Sequence, residues 1–314
     1  MRALLQEIAK GLSASSRLDD ATRADAPREA RLLAAATLGC SPGDVARRVD
    51  FPISHEDRDR IRTAAARRVR GEPLAYAVGN APFRHLTLYV DARVLIPRPE
   101  TEIVVEEALR VVSAYPGGIA VDIGTGSGAI ALALATEGQF ERVIATDVSE
   151  GALEVARANA VAVNPRTPVE FRLGADLAPL DGVRARVIVS NPPYISYSEA
   201  SALPASVRDW EPTMALFAAD DGMARYNVLL ATAARCLEPG GCIVFEVDAR
   251  RARETAARAE QTGWVNVRLV RDLSGRDRVL VAHGPGNTAP VTVHSNAVAS
   301  ATASPTSVPG PEAR

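Results

Sequence analysis

The sequence predicts a doubly wound α/β sheet of seven strands with an antiparallel edge, preceded by a small helical bundle. Beyond residue 83, strand-like and helix-like segments alternate, the pattern of a parallel sheet covered by helices on both faces. The last two strand-like segments are joined by only residues 271–276, too few for a right-handed parallel crossover, so they pair antiparallel at one edge. Before residue 75 the apolar residues recur at helical spacing instead.

Taken in chain order, Leu4, Leu5, Ile8 and Leu12 form one helical stripe, 30–38 a second, and 57–70 an Arg-rich amphipathic helix. Ser41-Pro42 and Ser54 read as helix starts, because a hydroxyl oxygen accepts from orphan amides and Pro fits a first turn. Gly71-Glu72-Pro73 ends the last of these helices, since Gly suits a left-handed cap and Pro cannot continue the ladder. Residues 83–90, rich in β-branched and aromatic side chains, read as a short hairpin joining the two parts. The sheet strands are expected at 119–123, 142–146, 168–173, 185–190, 241–247, 265–270 and 277–283. Helices are expected between them at 100–112, 128–136, 150–163, 222–237 and 249–262. Residues 284–314 hold five prolines and only Glu312 and Arg314 as charges, so they cannot bury enough surface to offset ordering and are expected to form a disordered tail.

Composition excludes several classes. At 314 residues and 47% hydrophobic content the chain exceeds what one core usually serves, so a full-sized domain plus a smaller one is expected. With 36 basic and 38 acidic side chains the net charge is −2, which argues against a general polyanion binder. The charge is uneven: residues 1–70 carry 14 Arg/Lys against 10 Asp/Glu, leaving 22 against 28 for the rest. Cys40, Cys236 and Cys242 are odd in number and His55, His85, His283 and His294 are scattered, which excludes a disulfide scaffold and a Cys/His metal site. No apolar run approaches the roughly 18 residues of a membrane helix, so a cytoplasmic protein with no membrane partner is expected.

Two loops carry the chemistry. Asp122-Ile123-Gly124-Thr125-Gly126-Ser127-Gly128 follows a buried strand and opens an Ala-rich helix, placing glycines where a backbone must approach a ligand. Asp147 ends the next strand, a position that suits a carboxylate accepting both ribose hydroxyls of a nucleoside. A dinucleotide would require G-x-G-x-x-G, but position 129 is Ala and Gly128 comes one residue early. S-adenosylmethionine, which has no phosphate, fits better, with Asp176 after the third strand placed to accept from the adenine amino group. The second loop, Asn191-Pro192-Pro193-Tyr194, follows the apolar strand 185–190. Two prolines fix φ and remove donors, so the loop is rigid and rich in acceptors. The Asn191 Oδ1 and the Pro192 carbonyl together can receive both hydrogens of a planar NH2 group, which Tyr194 would stack upon. Held in line with a methyl sulfonium, that nitrogen would need little beyond orientation and desolvation to react.

With these loops the sequence resembles the N5-glutamine methyltransferases of peptide-chain release factors, the HemK group. The likeness spans residues 1–283 and includes Arg70-Gly71-Glu72-Pro73-Leu74-Ala75-Tyr76, Leu95-Ile96-Pro97-Arg98-Pro99-Glu100-Thr101-Glu102, the two loops, Trp210-Glu211-Pro212 and Asp272-Leu273-Ser274-Gly275-Arg276. The resemblance implies a Rossmann-like class I methyltransferase domain at 79–283, preceded by a substrate-docking helical domain at 1–78. It implies S-adenosylmethionine as cofactor, held by Gly124, Thr125, Gly126, Ser127, Gly128, Asp147, Asp176, Leu177 and Asn191. It further implies that Asn191, Pro192, Pro193 and Tyr194 hold a glutamine from the GGQ-type loop of a release factor, with Asn191, Pro192 and Tyr194 at the reacting nitrogen. Three positions depart from the pattern: Pro82 stands where the family usually has Glu, Leu177 where some members have Trp, and Asp248 where Gly is usual.

Other readings share parts of this pattern. Adenine-N6 DNA methyltransferases use the same loop on a planar NH2, but must also flip a base and bind phosphates, for which the acidic catalytic part offers no added reading domain. Glutamine methyltransferases of a large-subunit ribosomal protein differ after Pro-Arg, where this chain has Pro99-Glu100-Thr101-Glu102. A non-enzymatic adaptor is disfavoured because both loops are intact. The Arg-rich helix, with Arg58, Arg60, Arg62, Arg67, Arg68 and Arg70, reads equally as a solvated face or a docking surface, because Glu56, Asp57 and Asp59 partly balance it.

Overall fold

The computed structural model describes residues 1–285, so 286–314, nearly all of the expected tail, lie outside the described residues. Six helices open the chain: α1 (Arg2–Ala14), α2 (Asp20–Ala24), α3 (Ala26–Leu38), α4 (Pro42–Arg47), α5 (His55–Val69) and α6 (Leu74–Val78). The stripe of Leu4, Leu5, Ile8 and Leu12 packs on Leu33, Ala34 and Ile61, giving this part its own apolar core. The expected caps are present. Ser41 Oγ accepts from the Asp44 amide at 3.1 Å while the Asp44 carboxylate accepts from the Ser41 amide at 3.1 Å, and Ser54 Oγ accepts from Asp57 at 3.0 Å. The five-residue α2 and α6 were not anticipated, because one turn is too short to display a period.

Arg60, Arg62, Arg67 and Arg68 of α5 each bond to another part of the helical bundle, although only Arg68 is buried. Arg68 is only 6% exposed, and its guanidinium donates to Glu29 at 2.7 Å and to the Glu72 carbonyl at 3.0 Å. Arg67 pairs with Glu72, and Arg60 donates to the Thr37 carbonyl at 2.7 Å. These groups fasten the bundle; removing one partner of a buried pair typically costs about 3–5 kcal/mol. A docking face here therefore excludes Arg67 and Arg68, leaving the exposed Arg60, Arg62, which also pairs with Glu7 at 2.8 Å, and Arg70, which caps the end of α5.

A hairpin, β1 (Asn80–Phe83) and β2 (Leu86–Tyr89), follows, with the exposed Pro82 opposite Thr87. The Arg84 amide at its turn donates to the Glu102 carboxylate and its guanidinium pairs with Glu137, tying the hairpin to two helices that cover the main sheet. The main sheet contains β3 (Ile119–Ile123), β4 (Arg142–Asp147), β5 (Val169–Leu173), β6 (Ala185–Ser190), β9 (Leu237–Glu246), β10 (Val265–Arg271) and β11 (Asp277–His283), and a two-residue pair, β7 (Ile195–Ser196) and β8 (Phe217–Ala218), lies apart. The order is β10-β11-β9-β6-β3-β4-β5. The antiparallel pair sits at one edge as the short connection requires; within it β11 lies between β9 and β10 and runs against both. β9 begins four residues before its expected start, with a register shift against β6 beside Gly240, whose φ of 86° bends the strand.

Helices α7 (Glu102–Val112) and α8 (Ala129–Glu137) cover one face, where Val104, Val105, Leu132 and Leu134 meet Ala120, Val143, Val187 and Val244. α9 (Glu150–Val163) packs beside β4 and β5. Short helices α10 (Ala205–Arg208) and α11 (Thr213–Leu216) follow β7. The other face is covered by α12 (Ala224–Thr232) and α13 (Ala252–Gln261), where Tyr226, Leu229 and Ala259 meet Val121, Ile144, Ile188 and Phe245. Strands buried on both faces explain the near-continuous apolar runs in the sequence. Among the described residues no helix is long and apolar enough to cross a membrane, and no cluster of metal-ligating side chains is present.

Candidate active site

The chain leaves β3 toward β4 on one side of the sheet and reaches β6 on the other, so strand order reverses between β3 and β6. Ile123 lies opposite Ser190 in that register, and the two functional loops begin at the very next residues, Gly124 and Asn191. A doubly wound sheet opens its ligand crevice at such a switch point.

In the first loop Gly124, Gly126 and Gly128 have φ of 72°, 54° and 85°, which a side chain would strain. The Gly124 and Thr125 amides donate to the Thr146 carbonyl at 2.9 Å each. Asp147 pins the next turn, its two oxygens accepting from the Gly126 and Ser149 amides at 2.9 Å each. Ser127 is buried, and its carbonyl accepts from Asn159 at 2.8 Å. Beneath the loop lies fully buried Asp122, which accepts from the Thr125 hydroxyl at 2.7 Å and the Ala131 amide at 3.1 Å through Oδ2. Its Oδ1 is buried with no partner. Burial pushes the Asp122 carboxyl up to about 7, with the Asp147 charge adding to the rise, and burial also raises Asp147. Two desolvated carboxylates favour a positively charged guest and disfavour a pyrophosphate.

That shift has a consequence for the cofactor-free protein. A carboxyl whose folded pKa is raised from 3.8 to about 7 stabilises the fold most below the unfolded value, and the contribution is lost as pH rises through the folded one. On going from about pH 5 to about pH 8 the wild type should lose more unfolding free energy than Asp122→Asn. Urea titrations at both pH values check this, and parallel losses in the two proteins would contradict it.

In the second loop the Asn191 Nδ2 donates to Thr101 Oγ1 at 3.1 Å, and that hydroxyl donates in turn to Glu246 Oε2 at 2.6 Å. The Tyr194 hydroxyl reaches the other Glu246 oxygen at 3.4 Å, and its ring packs against the core beside Tyr226. Burial raises the Tyr194 hydroxyl well above its ordinary value, with Glu246 reinforcing it. A pocket of about 260 Å³ opens in front of the loop, lined by Leu95, Arg98, Asn191, Pro192, Pro193, Tyr194, Val207 and Leu216. Arg98 is held there by buried Glu211, which also accepts from the Ile96 amide at 3.2 Å. Tyr76 is buried and donates to the Val94 carbonyl at 2.5 Å, clustering with Val90, Ile96 and Trp210. Segments scattered through the sequence thus brace one pocket.

The remaining candidates sit at the rim or below it. Asp176, with φ of 49° after β5, pairs with Arg225 at 3.1 Å. Leu177 is 4% exposed and packs with Val121, Ile123 and Ile144 in the core. Asp248 is buried, yet Arg250 and Arg251 hold it below the usual carboxylate range. Sequence reasoning missed Asp122 as a charged group, and missed Thr101, Glu246 and the Arg98–Glu211 pair. The only signal for Glu246 was a carboxylate ending an otherwise apolar strand.

Comparison with known proteins identifies the family. The family models "PrmC N-terminal domain" and "Methyltransferase small domain" match residues 12–79 and 104–205. The release factor glutamine methyltransferase of Cereibacter sphaeroides is 37% identical over 261 residues, covering 83% of this chain and 92% of the relative. That of Moorella thermoacetica is 38% identical over 237 residues, 75% of this chain and 83% of the relative. Among solved structures, the hMettl16 catalytic domain in complex with MAT2A 3'UTR hairpin 6 aligns with a TM-score of 0.52 at 15% identity, covering 76% of this chain and 85% of that one, a likeness of fold alone. With 37–38% identity over stretches that cover most of both chains, the protein belongs to the release factor glutamine methyltransferase family.

Proposed function

We propose that the protein transfers a methyl group from S-adenosylmethionine to the side-chain amide nitrogen of a glutamine in peptide-chain release factors, a modification of the translation termination machinery in the cytoplasm. The observation that carries this reading is the register of β3 and β6, which sets a glycine loop with two desolvated carboxylates beside a rigid acceptor loop built for a planar NH2. The buried, unpartnered Asp122 Oδ1 fits a cofactor that brings positive charge. When bound, S-adenosylmethionine supplies an electrophilic methyl on a sulfonium. Gly124, Thr125, Gly126, Ser127 and Gly128 give it close backbone approach, Asp147 takes the ribose, and Asp176 borders the adenine, while the Leu177 side chain packs in the core. Asn191 Oδ1 and the Pro192 carbonyl accept the two amide hydrogens, Pro193 keeps the loop rigid, and Tyr194 walls the pocket against water. Orienting the nitrogen in this way supplies most of the rate. A release factor whose loop glutamine is replaced by glutamate should accept no methyl group, and methylation of that variant would reject the reading.

The amide pocket cannot distinguish one protein from another, so a second contact is required. The helical part at 1–78 supplies it through the exposed part of α5, and the two contacts combine through effective concentration. Reversing Arg62 and Arg70 to Glu should raise KM for a whole release factor about five-fold while leaving a short glutamine-loop peptide unaffected. Equal effects on both substrates would show that the helices only support the fold. No nucleic acid is required for catalysis in this reading.

A further inference from the structure

We propose that Thr101 and Glu246 are positioning residues that fix which end of the Asn191 amide faces the substrate. The inference rests on the reading of Asn191 as acceptor for the glutamine NH2. An Asn side chain presents either an oxygen or an NH2 to a pocket, and the two ends differ only in what they hydrogen-bond. Only the oxygen can hold a substrate amide by its hydrogens. The selection is made by a chain of bonds that starts 145 residues away in sequence from its second member. Ionised Glu246 has no hydrogen, so the single hydrogen of the Thr101 hydroxyl goes to it. Thr101 Oγ1 is then left as an acceptor, and the Asn191 group that can donate to it is Nδ2. Asn191 Oδ1 is thereby turned away from Thr101 and left for the substrate.

Thr101 and Glu246 are 5% and 1% exposed, so water does not compete for these bonds. The same burial makes the chain reversible. It raises the Glu246 carboxyl to about 7, against the opposing pull of Arg278 from β11, and Glu100 in the turn before α7 adds to the rise. The Tyr194 hydroxyl faces its other oxygen, and the Tyr226 hydroxyl donates to the Glu246 backbone carbonyl. Glu246 protonated on Oε2 donates to Thr101, whose own hydrogen must then find another acceptor, and the available one is Asn191 Oδ1. The amide turns over and presents NH2 to NH2. The productive polarity therefore belongs to the ionised form, and turnover should fall as pH drops through about 7.

Turnover, KM for the release factor and S-adenosylmethionine affinity are measured for Thr101→Val, Thr101→Ser, Glu246→Gln and Asn191→Ala, with melting temperatures as a check on folding. Thr101→Val should lower kcat about ten-fold with KM and cofactor affinity nearly unchanged, and Thr101→Ser, which keeps the hydroxyl, should recover to within about three-fold of wild type. Glu246→Gln, whose carbonyl can still accept the Thr101 hydrogen but which cannot ionise, should abolish the fall of kcat on acidification. If Thr101→Val does not fold, Thr101→Ser and Glu246→Gln carry the test. Wild-type kcat with an unchanged pH profile in Glu246→Gln, or equal losses in Thr101→Val and Thr101→Ser, would overturn the inference while a disabled Asn191→Ala left the amide reading standing. Full activity of Asn191→Ala would instead overturn the amide reading, and this inference with it.

Discussion

Asn191→Ala is expected to lower turnover by about 100-fold or more while cofactor affinity changes only a few-fold, because orientation effects reach that size. The substitution removes the side-chain acceptor and leaves only the Pro192 carbonyl to hold the substrate amide, so the nitrogen rotates away from the line of transfer. The loop itself should persist, since Pro192 and Pro193 fix its backbone and Ser190 is anchored independently by its 2.8 Å bond to the Ile123 carbonyl. Single-turnover measurements at saturating cofactor isolate this step. A rate equal to wild type would remove Asn191 from the mechanism.

Asp147→Ala should act on the other substrate. Its carboxylate holds the Gly126 and Ser149 amides, so the variant loses a ribose acceptor and the tether of the glycine loop together. Lost charge-assisted hydrogen bonds of this kind cost about 1–3 kcal/mol, or roughly 5–150-fold in S-adenosylmethionine affinity. Turnover at saturating cofactor should stay near wild type. Titration calorimetry reads the affinity directly, and an unchanged value would reject the role of Asp147.

The elements that sequence reasoning reached are those whose signal is local. Strands β3 and β6 are mostly apolar and buried on both faces, Ser41 and Ser54 sit three residues before the amides they cap, and both functional loops are contiguous motifs. What it did not reach depends on residues brought together by folding. Asn191 and Thr101 are 90 residues apart, and Arg98 and Glu211 are 113 apart. No periodicity links such pairs. The arginines of 57–70 could be counted but not oriented, and burial of Arg68 against Glu29 became visible only when α3 and α5 were packed. The stretch between β6 and α12 breaks into two-residue strands and four-residue helices, each too short to carry a pattern. Leu177 is assigned to the cofactor by the resemblance alone, and its side chain packs in the core.

The central claim is that the acceptor loop presents Asn191 to a glutamine amide of a release factor. Its most direct test is incubation of the protein with methyl-labelled S-adenosylmethionine and, in parallel, release factors, ribosomal proteins and DNA, with each product located by mass spectrometry. The account predicts one methyl group on the side-chain nitrogen of a single release-factor glutamine. Label on adenine N6 or on a ribosomal protein, with the release factors unmodified, would contradict it.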